Sequence, residues 1–349
     1  QESSSQTIIK SMKYPDNIYW YSYDWTMYYS YSYKTLYKHD FSTNEIAKQY
    51  DFPQRITARN SSTNGRFMVI GCDYWWIQVW DTWMDELLIQ AQVIPNQFGD
   101  PWTDAIIDLI ISSDGKYVQA KGYSYREYRC YSLEKKRNIT IYNELPGYAT
   151  PGNTPAPDST FKNPILFLPQ GFGIFDLKPL DREYTTPHII DLNSERVVKD
   201  IGATIGAIVC VDGNYLLSRN SQGFFQFWDV SAGLEWKLLS THEKPLESGR
   251  NYHISPGGHY IYSSSGENFP SGMYPSDTIK PAIVLDALTG RLLWELNHPD
   301  FKDDEGYVLT GAIQRFSEDG TQMFGMDKTG MHIWDITNLK AMAEGSSTY

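Results

Sequence analysis

Short apolar stretches of roughly four to eight residues, alternating with polar positions and punctuated by Gly, Asn, Asp and Pro, run along this chain. Such a period predicts strands. The best-marked stretch, residues 312–336 (AIQRFSEDGTQMFGMDKTGMHIWDI), reads as three strands and two turns. Residues 312–316 form an apolar run, and Asp319-Gly320 follows, a dipeptide that readily takes the positive φ values of a tight hairpin loop. Residues 321–326 return as a second strand, residues 327–330 turn again, and residues 331–334 make a third strand closed by Trp334-Asp335.

Weaker copies of this unit precede it. Equivalent turn dipeptides stand at Asp16-Asn17, Asn64-Gly65, Asp114-Gly115, Lys162-Asn163, Asp212-Gly213, Gly257-Gly258 and Asp319-Gly320. A second marker, an apolar strand closing in a polar step, stands at His39-Asp40, Trp80-Asp81, Tyr131-Ser132, Ile190-Asp191, Trp228-Asp229, Leu285-Asp286 and Trp334-Asp335. Both occur seven times, in register, at a spacing of roughly 50 residues, which is the signature of a stacked repeat. The pattern predicts an all-β chain: a seven-bladed β-propeller of four-stranded antiparallel blades, one domain over residues 1–349. The blades are expected near residues 7–52, 53–97, 103–145, 159–201, 203–241, 249–298 and 307–347. Residues 105–112, apolar on both faces, suit an inner strand sandwiched between neighbouring sheets.

The unit resembles the blade of the WD-repeat family, most closely at Trp80-Asp81, Trp228-Asp229 and Trp334-Asp335. In that family a Trp, an Asp of the preceding turn, a Ser or Thr and a His from a Gly-His pair form a hydrogen-bonded network. Asp327 and Trp334 match two of those roles, whereas Gly258-His259 falls in a turn. The family's strand order implies that first-to-second and third-to-fourth connections share one end of each blade. The long segments, residues 96–104, 145–164, 178–187, 241–250, 266–281 and 298–307, then all fall at the opposite end, where binding usually resides on rigid scaffolds. Family members commonly complete the last blade with the N-terminal strand. Here residues 8–14 align as the innermost strand of blade one, which leaves residues 340–349 to cover blade seven. Ala and Gly make that segment a poor strand, so the edge of blade seven is expected to be unlatched and open to another molecule.

Composition changes the picture in a few places. Aromatic residues are 15% of the chain, with 26 Tyr, and charged residues only 21%, which suits strands with large stacking surfaces. A formal charge of −12 removes the basic footprint that nucleic acid or an anionic membrane surface requires, and no apolar run is long enough to span a bilayer. Cys72, Cys130 and Cys210 sit in separate apolar runs without ligand spacing, which predicts buried thiols and neither a disulfide framework nor a metal site.

The sequence contains no Gly-x-Ser-x-Gly elbow, His-Glu-x-x-His, Cys-x-x-Cys, phosphate loop or EF-hand loop, so no catalytic residue and no cofactor is assigned. His242, His253 and His298, with Asp104 and Asp108, are the groups an assembled active site would draw on. The acidic stretch 300–305 lacks a calcium spacing, and residues 286–290 with Trp294 resemble a quinoprotein blade motif that occurs only once. Asn60-Ser61-Ser62 and Asn138-Ile139-Thr140 are N-glycosylation acceptor patterns, and Gln1 at the start suits a processed, exported chain. The favoured reading is a non-catalytic binding or assembly module, extracellular or at the cell surface. It contacts a protein partner, a glycan or a second copy through the long-loop face or the blade-seven edge. The rivals are an exported propeller hydrolase or lactonase acting on carbohydrate-like substrates, and an intracellular, cytoplasmic WD-repeat scaffold.

Overall fold

The computed structural model describes residues 8–12, 18–21, 27–62, 65–93, 105–122, 128–140, 165–177, 186–201, 207–242, 252–263, 282–296, 313–317, 319–327 and 330–340. They form 28 strands: β1 (Ile8–Met12), β2 (Ile18–Tyr21), β3 (Met27–Ser32), β4 (Thr35–Asp40), β5 (Ile46–Asp51), β6 (Ile56–Ser61), β7 (Phe67–Cys72), β8 (Trp76–Asp81), β9 (Glu86–Gln92), β10 (Ile106–Ile111), β11 (Tyr117–Gly122), β12 (Tyr128–Ser132), β13 (Arg137–Asn138), β14 (Leu166–Phe167), β15 (Phe172–Leu177), β16 (Thr186–Asp191), β17 (Arg196–Asp200), β18 (Ala207–Asp212), β19 (Tyr215–Arg219), β20 (Phe225–Asp229), β21 (Lys237–Thr241), β22 (Tyr252–Ile254), β23 (Tyr260–Ser263), β24 (Ala282–Asp286), β25 (Leu292–Leu296), β26 (Ile313–Phe316), β27 (Gln322–Asp327) and β28 (Gly330–Asp335). They assemble into seven four-stranded antiparallel sheets. Six are consecutive, from β2–β5 to β22–β25, and the seventh has the order β26-β27-β28-β1.

The chain divides into two compact units. One holds blades one to four with residues 231–235, and the other holds blades five to seven with the N-terminal strand. In each unit the core lies between successive sheets. Ala58, Val69, Ile77 and Val79 of blade two pack against Ile106, Leu109, Val118 and Ala120 of blade three. Cys130 and Tyr128 of blade three meet Phe175 and Ile190 of blade four. In the second unit Leu217 and Phe227 of blade five meet Ile254 and Ile261 of blade six, and Tyr260, Tyr262 and Val284 meet Phe316, Met323 and Trp334 of blade seven. Both faces of a blade's inner strands are therefore covered, which is why β7 (FMVIGC) and β24 (AIVLD) are buried at every position rather than at alternate ones.

The third-strand marker is correct in all seven blades: β4, β8, β12, β16, β20, β24 and β28 each end at the polar residue of that step. The hairpin marker is correct in five. Residues 16–17 and 162–163 do not join the first and second strands of a blade; in blade four that turn is at residues 168–171, with Gln170 and Gly171 at positive φ.

The last blade departs from expectation. β1 is not the inner strand of blade one but the outer strand of blade seven, antiparallel to β28 with Lys10 opposite Ile333 and Met12 opposite Met331. Ile18–Tyr21 takes the inner place beside β3, with Ile18 opposite Ser30, and leaves no position there for residues 8–12. Past Ile336 the chain leaves the sheet: the Leu339 amide donates to the Ile336 carbonyl, and Lys340 reaches Asp286 at 2.7 Å. The edge of β28 is thus covered from within the chain, and neither an unlatched edge nor self-association through it remains.

Of the long connections, those after β9, β13, β21 and β25 join successive blades and those after β15 and β23 join second to third strands. All leave from the same end of their own sheets. The interiors of these segments, with His298, Asp104 and the acidic stretch 300–305, lie outside the described residues.

Candidate functional site

In six blades the polar step that closes the third strand organises the turn to the fourth. Asp40 Oδ1 accepts the amides of Ser42 and Thr43, at 2.7 and 2.9 Å. Asp81 does the same for Trp83 and Met84, Asp191 for Asn193 and Ser194, and Asp286 for Leu288 and Thr289. Asp335 accepts the Thr337 amide, and Ser132 Oγ accepts that of Lys135. A short oxygen-bearing side chain two or three residues before an amide is what an Asx turn needs. The Asp of the motif is therefore a turn cap; in blade two it is also an ion-pair acceptor, with Arg66 at 2.8 Å. Residues 286–290 behave alike, so their quinoprotein-like spelling serves a turn.

Each Trp of the motif finds a different partner. Trp228 Nε1 donates to Ser218 Oγ at 2.9 Å, the Trp–Ser link of the WD-repeat network. Trp80 donates to Gln78 on its own strand, and Gln78 donates to Gln90 on β9. Trp334 packs against Trp294 and His332, with ring centroids 6.0 and 5.4 Å away. Asp327 ends β27 opposite Gly330, and its side chain lies outside the described residues.

A second recurring residue was not anticipated. In the first turn of blades two, three, six and seven a serine, Ser62, Ser112, Ser255 or Ser317, accepts the amide five residues on, at 2.9 to 3.0 Å. Its carbonyl accepts the amide of the turn glycine, Gly65, Gly115, Gly258 or Gly320. The signal was in the sequence as Ser-x-x-Gly, of which only the glycine was read.

The connection from third to fourth strand carries the charged contacts between blades. Asp85, at φ +55, accepts hydrogen bonds from Lys48 and Tyr50 of blade one. Glu195, at φ +61 in blade four, holds Lys135, Arg137 and the Thr140 amide of blade three. Burial pushes both carboxyls up, but the hydrogen bonds and neighbouring cations outweigh it and hold both below their ordinary values.

The remaining candidates are placed as follows. Asn60 is exposed on β6; its Nδ2 donates to the Leu109 carbonyl at 2.5 Å and its Oδ1 accepts the Ser61 amide. Asn138 is half-buried and its Nδ2 donates to the Val93 carbonyl at 2.7 Å. His242 is buried, with Nε2 3.0 Å from the Ala287 carbonyl, while His253 is exposed on β22 between the buried Tyr252 and Ile254. Asp108 accepts from the Tyr128 hydroxyl at 2.6 Å. Cys72 and Cys130 are buried free thiols, and burial pushes the Cys72 pKa up to about 12; Cys210 is half-buried rather than buried as expected. No group of three or more His, Cys, Asp or Glu is arranged to hold a metal among the described residues, and no helix among them is long and apolar enough to cross a membrane.

One cleft draws several of these groups together. About 410 Å³ in volume, it is formed by blades one to three. Its floor is buried and mostly apolar: Tyr29, Leu36, Ala58, Met68 and Ile70. Thr57, Arg59, Asn60, Ser61, Ile107 and Asp108 form its wall and mouth, with Asn60 and Ile107 exposed. The Arg59 guanidinium lies 4.8 Å from the centre of the Tyr31 ring and donates to the Tyr31 hydroxyl at 3.1 Å. A volume of this size is within the range of ligand pockets.

No family model matches the sequence, and no curated protein matches it. Among solved structures the chain is similar to the β-propeller domain of Cps50 (Swd1) from Myceliophteria thermophila, with a TM-score of 0.55 at 13% identity over 95% of this chain and 100% of that one. The seven four-stranded sheets and this likeness together give the chain the fold of a divergent WD40-like β-propeller.

Proposed function

We propose that this protein is a non-catalytic binding module that presents one end of its blades to a protein partner. The observation that carries the reading is the placement of the long connections: all six leave the end of the sheets opposite the capped turns. A serine or aspartate fixes most turns at the capped end, while chain length is concentrated at the other, the arrangement of a rigid scaffold bearing binding loops. Asp85, Glu195 and Asp108 are each already committed to structural hydrogen bonds, which favours binding over acid–base chemistry.

Cross-linking to a captured partner, read by mass spectrometry, tests this. Links are expected at Lys178, Lys244, Lys280 and Lys302 in the long connections. Links confined to Lys116 and Lys135 at the capped end would overturn it.

A location outside the cell is a separate proposal, supported by the two acceptor tripeptides. Both acceptor nitrogens are hydrogen-bonded, Asn60 Nδ2 to the Leu109 carbonyl and Asn138 Nδ2 to the Val93 carbonyl, but Asn60 is exposed whereas Asn138 is half-buried. Intact mass of natural material is expected to show a glycan at Asn60 and none at Asn138; an unmodified Asn60 sinks the proposal.

A further inference from the structure

We infer that the outer edge of blade two, strand β9, is a site at which an extended, basic segment of a partner protein adds as a fifth strand. This goes beyond the partner-binding reading, because the surface is a strand edge and not a long connection. β9 ends its sheet, whose order is β6-β7-β8-β9. The Val93 amide donates to the Trp75 carbonyl, and hydrogen-bonded and non-bonded pairs alternate along antiparallel strands. Ile77–Ala91 and Val79–Ile89 therefore bond within the sheet. The N–H and C=O groups of Gln90 and Gln92, opposite Gln78 and Trp76, point away from β8. They offer a donor and an acceptor every ~6.8 Å, the two-residue repeat of an extended backbone laid alongside.

Every blade has an outer strand, and β9 differs from the other six. At seven residues it is the longest; the others have two to six. Charged residues, lysine above all, blunt natural sheet edges. Lys10, Lys48, Arg137, Lys199, Lys237 and Glu295 stand in the other six strands, whereas Leu87–Gln92 is a run of six uncharged positions. Four of the twelve exposed large apolar side chains among the described residues, Trp83, Met84, Leu87 and Leu88, fall within six consecutive positions here. Ile89 and Ala91 pack into the core between blades two and three, which leaves Leu88 and Gln90 exposed on the opposite face. In the turn that leads into β9 the Arg66 guanidinium, 5.0 Å from the centre of the Trp83 ring, steadies the indole. A strand added at this edge covers Leu87 and Leu88 with its own apolar side chains. Charge defines the rest of the occupant. Asp85 is held by Lys48 and Tyr50, but the adjoining Glu86 is exposed and makes no ion pair among the described residues. That carboxylate and the net charge of −12 favour a lysine or arginine on the incoming strand.

The probe is N-acetyl-Val-Thr-Val-Thr-Lys-amide, titrated into the intact, isotope-labelled chain and followed by NMR. The amide signals of Gln90 and Gln92 are expected to move. Gln90→Pro removes an outward donor and no bond of the sheet, because proline is tolerated where the N–H faces an open edge. Leu88→Lys gives β9 the lysine of its counterparts. Affinity is expected to fall about fivefold or more in each, while Leu238→Ser, at an exposed position on the outer strand of blade five, binds as the parent does. Leu88 is a surface position, so its variant tests the site even where Gln90→Pro fails to fold. The inference is overturned by immobile signals at about 10 mM peptide, a concentration that detects millimolar affinity. Unchanged affinity in Leu88→Lys also overturns it, as does an equal response to N-acetyl-Val-Pro-Val-Pro-Lys-amide, which lacks the donors of a strand, or to N-acetyl-Val-Thr-Val-Thr-Glu-amide. Concentration-dependent association of the parent that Leu88→Lys abolishes would assign the edge to a second copy and overturn it too.

Discussion

Blade two and blade seven reach the same four-stranded sheet by different routes. Blade two is continuous, β6 to β9, and its wall against blade three is among the most tightly sealed in the chain: Trp75, 1% exposed, lies where a Cβ on Gly122 would be 1.8 Å from the indole. Blade seven takes three strands from one end of the chain and the fourth from the other. The comparison separates two sources of stability. One is dense packing between sheets that are neighbours in sequence; the other is hydrogen bonding between segments more than 300 residues apart.

The largest effect is expected at the distant pairing. Deletion of residues 1–12 leaves the edge of β28 bare, and bare edges pair with other chains. A fall of on the order of 10 °C in melting temperature, with concentration-dependent association in light scattering, is the expected result; an unchanged monomer would show that the fourth strand is dispensable. Next is Gly122→Ala, which drives a methyl group into Trp75. Overpacking of this kind costs about 3 kcal/mol, read as a lower urea midpoint with an unchanged slope.

Glu195→Gln sharpens the comparison by testing charge between blades three and four. Its cation partners Lys135 and Arg137 are 30% and 52% exposed, so water screens them and the expected loss is about 1–2 kcal/mol. The sign with pH follows from a folded value held below the ordinary 4.5. Glu195 stabilises the fold fully above 4.5, and the gain is lost as pH falls through the folded value, because the unfolded chain takes up the proton first. Parent and variant stabilities are expected to differ by a constant amount from pH 7 to 5 and to converge below about 4.5. The smallest effect is at the caps: Ser62→Ala and Ser317→Ala are each expected to cost about 1 kcal/mol. Equal costs would show that the turn is indifferent to how its blade is completed.

How far the fold was legible follows from how local each signal was. The third-strand step was readable in all seven blades, and in six of them its physical basis is local: Asp, or Ser132, bonds to amides two or three residues away. Asp16-Asn17 and Lys162-Asn163 misled because a turn-prone dipeptide says that the chain bends and not which strands it joins; the serine three places before Gly65, Gly115, Gly258 and Gly320 would have separated the cases. The sequence Ile8–Met12 fits an inner or an outer strand equally well, and only its register against β28 decides. The cleft was illegible because its lining comes from five strands, β3, β4, β6, β7 and β10, that no local spacing unites. Asp108 had been singled out, but Arg59 and its Tyr31 platform had not.

The pairing of β1 with β28 also sets a schedule for biosynthesis. At ~5–20 residues per second, the first strand leaves the ribosome roughly 15–65 s before its partner does. For that interval Ile8–Met12 has no native neighbour, and the nascent chain carries an unpaired strand through the folding of six blades. A chaperone that shields short apolar segments would act on this chain early, and release from it would coincide with the synthesis of β28.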